Sequence, residues 1–205
     1  MDENGVMMSS DLAEALAHDH DRDDLMDIIR QRSFRTGEFV LASGKSSNVY
    51  FNLKPTLLDA CGAKRCGDLM TKMVKQIVED RGENGRIWIS GLAVGAVPLI
   101  ATMAACNDAE IQGTFVRKQV KDHGTKEAIE GLAPDENLDG HNVIIVEDVC
   151  TTGKSILECV AVIRAAGAIV TDAVTIVERG GREILHGAGI GLHSLFKEDE
   201  FLRGR

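Results

Sequence analysis

The chain has 205 residues, 44% of them hydrophobic, and a formal net charge of −9. That length and apolar content suit one domain with a sizeable core and exclude a disordered or low-complexity chain. The acidic balance argues against general nucleic-acid binding, so a polyanion must be held by a local basic cluster, and residues 117 to 126 supply one.

Residues 1 to 22 are acidic and rich in Met and are expected to be a flexible N-terminal segment, leaving 23–205 as a single domain. His18 and His20 stand among Asp19, Asp21 and Asp23, but no later segment offers a matching ligand set, so a solvated stretch is preferred to a metal site. Leu25, Ile28 and Ile29 predict a short amphipathic helix over Asp24 to Arg32. Phe39 to Leu41 and Tyr50 to Leu53 read as extended. A long helix follows, roughly Ala63 to Arg81, with Leu69, Met73, Ile77 and Val78 on one face.

Ile87 to Ser90 is the next strand, Gly91 to Ala96 a turn of small residues, and Pro98 to Cys106 an apolar helix. Small residues let backbone approach a ligand, or let a helix pack closely on a sheet; both readings stay open. Thr114 to Arg117 is a further strand. Lys118 to Leu138 is polar, carries glycine and has little periodicity, as expected of a functional or disordered loop.

Val143 to Val146 is a continuous apolar run that reads as a buried parallel strand ending in Glu147 and Asp148. Thr151, Thr152 and Gly153 form a hydroxyl-rich turn, and Ile156, Leu157, Val160 and Ile163 mark a helix from Lys154 to Ala166. A nucleotide P-loop is excluded, because the position five residues before Gly153 is Asp148 rather than glycine. Two carboxylates beside a helix N-terminus rich in hydroxyls suit a ligand with one phosphate and neighbouring hydroxyls, such as a ribose phosphate. Simple capping of the helix is the plain alternative.

Ile169 to Val177 predicts a strand ending at Glu178 and Arg179, and Ile190 to Phe196 the last strand. The run Gly187 to Gly191 lacks the final glycine of a dinucleotide fingerprint, since Leu192 stands there. Strands alternating with helices give an α/β parallel sheet with helices on both faces and a ligand crevice at the carboxyl ends of the strands. The five cysteines show no paired spacing and read as reduced thiols; with no leader and no long apolar run, a cytoplasmic location is expected.

Val143 to Ser155 resembles the phosphoribosyl-diphosphate (PRPP) motif of type I phosphoribosyltransferases. Phe115 to Gly124, followed by Glu130 and Gly131, resembles the mobile catalytic loop of the orotate phosphoribosyltransferase family. Phe39 to Ser47, with Tyr50 and Phe51, resembles that family's small N-terminal hood, placed mainly in 33–60. The similarity runs from about Leu25 to Phe201.

The resemblance implies transfer of phosphoribosyl from PRPP to orotate, giving orotidine monophosphate and pyrophosphate. It implies catalytic cations at Lys118, Lys121 and His123, with Arg117 joining them on PRPP. Glu147, Asp148, Val149, Cys150, Thr151, Thr152, Gly153, Lys154 and Ser155 are the expected ribose and phosphate contacts. Thr151, Arg179, Tyr50 and Phe51 are the expected orotate contacts, with Arg179 as a bidentate fork. From spacing alone, Arg179 is equally a surface partner of Glu178 or Glu183. Magnesium is expected, held through PRPP with no direct protein ligand, and a homodimer with shared sites. Two departures from the family pattern stand out: Ala42 and Gly95 occupy positions where many members carry lysine. A transferase for a purine or other base, or a PRPP-binding regulator, are the alternatives.

Overall fold

The structure, a computed structural model, describes residues 20–40, 46–83, 85–106, 110–118 and 128–203. Helix α1 (His20–Arg32) starts four residues earlier than periodicity predicts. The reason is Arg22, which is buried, donates from Nε and Nη2 to the Leu195 carbonyl at 3.0 and 2.8 Å, and stacks 4.4 Å from the Phe196 ring centroid. A charged residue that finds buried acceptors elsewhere in the chain cannot be read from apolar spacing.

Strands β1 (Phe34–Val40) and β2 (Ser46–Phe51) form a separate antiparallel pair, with Phe34 opposite Phe51. Its apolar side docks through Phe34 and Phe51, whose rings lie 5.6 and 5.1 Å from Phe201. The short helix α2 (Lys54–Leu57) leads into α3 (Ala60–Asp80), whose N-cap Asp59 accepts from Gly62 N at 3.1 Å. Leu69, Met70, Met73, Val74 and Ile77 form its buried face.

The main sheet has the order β5, β4, β3, β6, β7, β8. Strands β3 (Ile87–Leu92), β4 (Ile111–Val116), β6 (Val143–Cys150), β7 (Asp172–Glu178) and β8 (Gly191–Lys197) run parallel, and the two-residue β5 (Ile129–Glu130) pairs antiparallel with β4. Ile144 and Val146 join the core under α3 and α4 (Ala96–Ala105), while Val143 and Ile145 join the one under α5 (Lys154–Ala165). This alternation, with every side chain buried, is the mark of a strand covered on both faces. The expected α/β parallel sheet with helices on both faces is therefore present.

Several boundaries differ from expectation, among them the starts of β4 at Ile111 and β7 at Asp172. β3 runs on through Gly91 and Leu92, and α4 begins at Ala96 rather than Pro98. β6 does not end at Glu147 and Asp148: Val149 and Cys150 continue the ladder opposite Val177 and Glu178 of β7, so both acids lie within the strand. Part of the stretch taken as loop forms β5. Helices α6 (Arg182–Gly187) and α7 (Glu198–Leu202) were not anticipated; each is too short for periodicity to reveal. Among the described residues no helix is long and apolar enough to cross a membrane.

Candidate active site

The carboxyl ends of β3, β4, β6 and β7 lie side by side, and backbone contacts knit their loops together. Ala93 N donates to Val116 O at 2.8 Å, joining the turn after β3 to the end of β4. Arg179 N donates to Cys150 O at 2.8 Å, joining the end of β7 to the turn after β6. Gly181 has φ +85°, and a Cβ there would lie 2.7 Å from Gly153 N, so only glycine lets this loop rest on the turn before α5. Sequence reasoning missed Gly181; the double glycine after Arg179 was the available signal.

Glu147, Val149 and the segment Cys150 to Ile156 line a cavity of about 100 Å³ at the N-terminus of α5. The first helical N–H groups face no intrahelical acceptor, Thr151 and Thr152 are exposed, and Thr152 Oγ1 accepts from Lys154 N at 3.4 Å. Such a cradle attracts an anion through N–H groups and the helix dipole. The Lys154 side chain instead extends into solvent, 3.8 Å from Glu158. Cys150 is buried, its Sγ donates to Gly180 O at 3.2 Å, and burial pushes its thiol up to about 11, so it stays protonated.

Glu147 is only 7% exposed, and Asp148 is half-buried beside it. Their carboxylates accept from the next backbone N–H groups, Glu147 Oε1 from Asp148 N at 3.2 Å and Asp148 Oδ1 from Val149 N at 2.9 Å. Burial, followed by the neighbouring Asp148 charge, pushes Glu147 up to about 8. The turn after β3 reaches the same place: a Cβ on Gly95 would lie 3.3 Å from Asp148 Oδ1 and 3.4 Å from Glu147 Oε1. A lysine at this position would start against both acids, and glycine leaves the pair without that cation.

Arg117 is half-buried; its Nε lies 2.6 Å from Glu130 Oε1 of β5, without the alignment of a hydrogen bond. Lys118 is exposed, and its charge acts on Glu147. Lys121 and His123, like Ala42, lie outside the described residues.

Arg179 corrects the surface-pair expectation. Neither Glu178 nor Glu183 is its partner: Glu178 pairs with Arg182, and Arg179, with a side chain 9% exposed, pairs through Nε with Glu198 of α7. Its Nη2 donates to Ser47 Oγ at 3.0 Å and Val49 O at 3.5 Å on β2, and its guanidinium lies 5.6 Å from the Phe51 ring centroid. The bidentate edge expected to face a ligand is thus engaged within the protein. Tyr50 is 41% exposed and stacks on Phe39 at 5.3 Å.

A family profile for the phosphoribosyl transferase domain matches residues 63–189. An orotate phosphoribosyltransferase of Bradyrhizobium sp. (strain ORS 278) is 44% identical over 183 residues, covering 87% of this chain and 95% of the relative. The chain belongs to the orotate phosphoribosyltransferase family. The crystal structure of this enzyme from Aeropyrum pernix is 30% identical, covers 87% of this chain and 96% of that one, and superposes with a TM-score of 0.71. An adenine phosphoribosyltransferase of Leishmania tarentolae, 15% identical with a TM-score of 0.60, shares the fold. What separates this family member from a plain α/β scaffold is the set of loops just described, all at one edge of the sheet.

Proposed function

We propose that the chain transfers phosphoribosyl from PRPP to orotate, releasing pyrophosphate and forming orotidine monophosphate for pyrimidine synthesis. The observation that carries this reading is the direct backbone link between the anion cradle and the buried arginine, Arg179 N to Cys150 O at 2.8 Å. It supports the reading by bringing the proposed phosphate cradle and the proposed carboxylate-binding arginine onto neighbouring strand ends, as a nucleotide with an acidic base requires.

In this reading Cys150 to Ser155 hold the sugar phosphate through N–H groups and the Thr151 and Thr152 hydroxyls. Glu147 and Asp148 take the ribose hydroxyls. A Glu147 held largely protonated can donate as well as accept, which suits a hydroxyl pair better than two adjacent charges. Arg179, Thr151 and the β2 segment at Tyr50 and Phe51, the hood of the family, take the base. The reaction builds positive character at the sugar and negative charge on the leaving pyrophosphate, so cations there speed it. Arg117 and Lys118, with Lys121 and His123 farther along the sequence, are the assigned cations.

Magnesium is taken to be carried on the substrate's oxygens, as a hard ion that keeps most of its waters allows. When bound, the ion neutralises developing charge on pyrophosphate. The free cysteines fit a cytoplasmic enzyme.

The assay follows pyrophosphate release from PRPP with orotate, hypoxanthine, guanine, adenine or uracil, with and without magnesium. Orotate is expected to be fastest and to need the ion; faster release with any other base overturns the assignment. Arg179→Ala is expected to raise the KM for orotate well above any change for PRPP, since a charged hydrogen bond is worth roughly 1.5–3 kcal/mol. We assign a homodimer in which Lys118 or Lys121 reaches the partner's site, because an isologous two-fold interface can present the cations of each subunit to the crevice of the other. Mixing inactive Lys121→Ala and Asp148→Asn subunits restores activity if Lys121 acts in trans. No recovery despite proven exchange rules that out.

A further inference from the structure

Arg179 is tightly held at the carboxyl edge of the sheet, and its partners come from two elements distant in sequence. From β2, Ser47 Oγ and Val49 O accept from Nη2, and Ser47 Oγ is itself fixed, donating to Val49 O at 2.8 Å and accepting from Val49 N at 3.2 Å. From α7, Glu198 accepts from Nε. Among the described residues, no such bond involves Nη1. The Nε and Nη2 edge, which matches a carboxylate two-for-two, is therefore filled by one acid and one hydroxyl of the protein itself.

Resting on the orotate assignment, we propose that Glu198 is a positioning residue for base recognition. It fixes Nε, and so the plane and rotation of the guanidinium, leaving Nη1 to meet the base's carboxylate. An arginine otherwise carries substantial rotamer freedom, and ordering it in advance removes that cost from binding.

Glu198 can do this because α7 is itself anchored. Arg22 of α1 pairs with Glu200 at 2.5 Å, Arg30 donates to Glu200 O at 3.1 Å, and Glu200 Oε1 accepts from Lys197 N at 2.7 Å. The first described helix thus holds the last one, which holds Glu198, which holds Arg179. The opposite role is a gate: Glu198 would compete with the base for the guanidinium and be displaced by it. The two roles differ in sign. A positioning acid lowers the KM for the base, whereas a competing one raises it.

The test compares Glu198→Gln, Glu198→Asp and Glu198→Ala with the wild type, measuring KM for orotate and for PRPP, kcat, and the unfolding midpoint. Wild-type turnover with orotate is read first, and its failure would overturn the assignment beneath this proposal before any variant is made. Glu198→Ala is expected to raise the orotate KM about tenfold, the scale of one lost charged hydrogen bond, with the PRPP KM changed less than about twofold. Glu198→Gln, which keeps an acceptor of the same length, is expected to fall between. An unchanged or lowered orotate KM in Glu198→Ala overturns the proposal. Equal rises in both KM values with a lower midpoint reduce Glu198 to a structural contact and overturn it as well.

Discussion

Two buried acids occupy opposite edges of neighbouring strands, and their surroundings are reversed. Asp172 opens β7 at the amino edge, where Arg81 pairs with it, Thr171 Oγ1 donates at 3.1 Å, and His193 Nε2 lies at 2.9 Å. Glu147 lies at the carboxyl edge of β6, where the nearest charged group is another acid and the facing residue, Gly95, has no side chain. One edge satisfies its charge with the residue that caps α3, with Thr171 and with His193 of β8, and contributes to stability. The other leaves an acid held well above its usual range, and a fold tolerates such a group where a ligand completes it.

The largest effect expected from breaking this contrast is at the satisfied edge. Arg81→Ala leaves Asp172 buried with its main countercharge gone, at a cost of about 2–3 kcal/mol after allowing for Arg81's partial exposure. For a domain of this size that lowers the unfolding midpoint by roughly 2–4 °C per kcal/mol, read by calorimetry, with PRPP affinity per folded molecule unchanged. Glu147→Gln has the opposite sign, because it removes a buried acid whose nearest charged neighbour is another acid. The midpoint at pH 8 is expected to rise by a few degrees while turnover falls.

Smaller, and sharper, is the dependence on pH. Between its ordinary 4.5 and about 8, Glu147 keeps a proton in the folded chain that the unfolded chain has lost, so its contribution to stability falls as pH rises through that window. His193 behaves in reverse. Burial, then the Arg182 and Arg81 charges, pushes it down to about 4, so between 6.5 and 4 the unfolded chain binds the proton and stability falls as pH drops. The two windows overlap between 4.5 and 6.5, where their opposite effects cancel, so stability is highest and level there and falls on either side. Glu147→Gln should abolish the alkaline fall and let the acid limb extend up to 6.5, and His193→Gln should abolish the acid fall and let the alkaline limb extend down to 4.5; calorimetry across pH 4 to 9 reads both.

Periodicity carried much of this architecture. The α3 face, the apolar run of β6 and the helix after Gly153 were legible because each buries a regular repeat. So was the order of the motif loops, since parallel strands put their carboxyl ends on one edge. What could not be read depends on partners distant in sequence. The early start of α1 rests on Arg22 reaching Leu195 and Glu200, and the extension of β6 through Cys150 rests on β7 lying alongside. Arg179 stands out in the sequence as a site candidate, but its partner Glu198 is nineteen residues on, in a five-residue helix with no apolar repeat. Gly95 was noted as a missing lysine, and only the fold shows that it faces both acids.

The central claim is that the acidic pair at the carboxyl edge serves a ligand rather than the fold, and Asp148→Asn tests it most directly. Titration calorimetry of PRPP with magnesium, run on the variant and the wild type beside thermal unfolding of both, separates the two roles. Affinity is expected to weaken about tenfold or more, the scale of a lost charged hydrogen bond, while the unfolding midpoint without ligand stays within about 2 °C. Unaltered PRPP affinity, or a loss that only accompanies a falling midpoint, would return Glu147 and Asp148 to a structural role at the strand end.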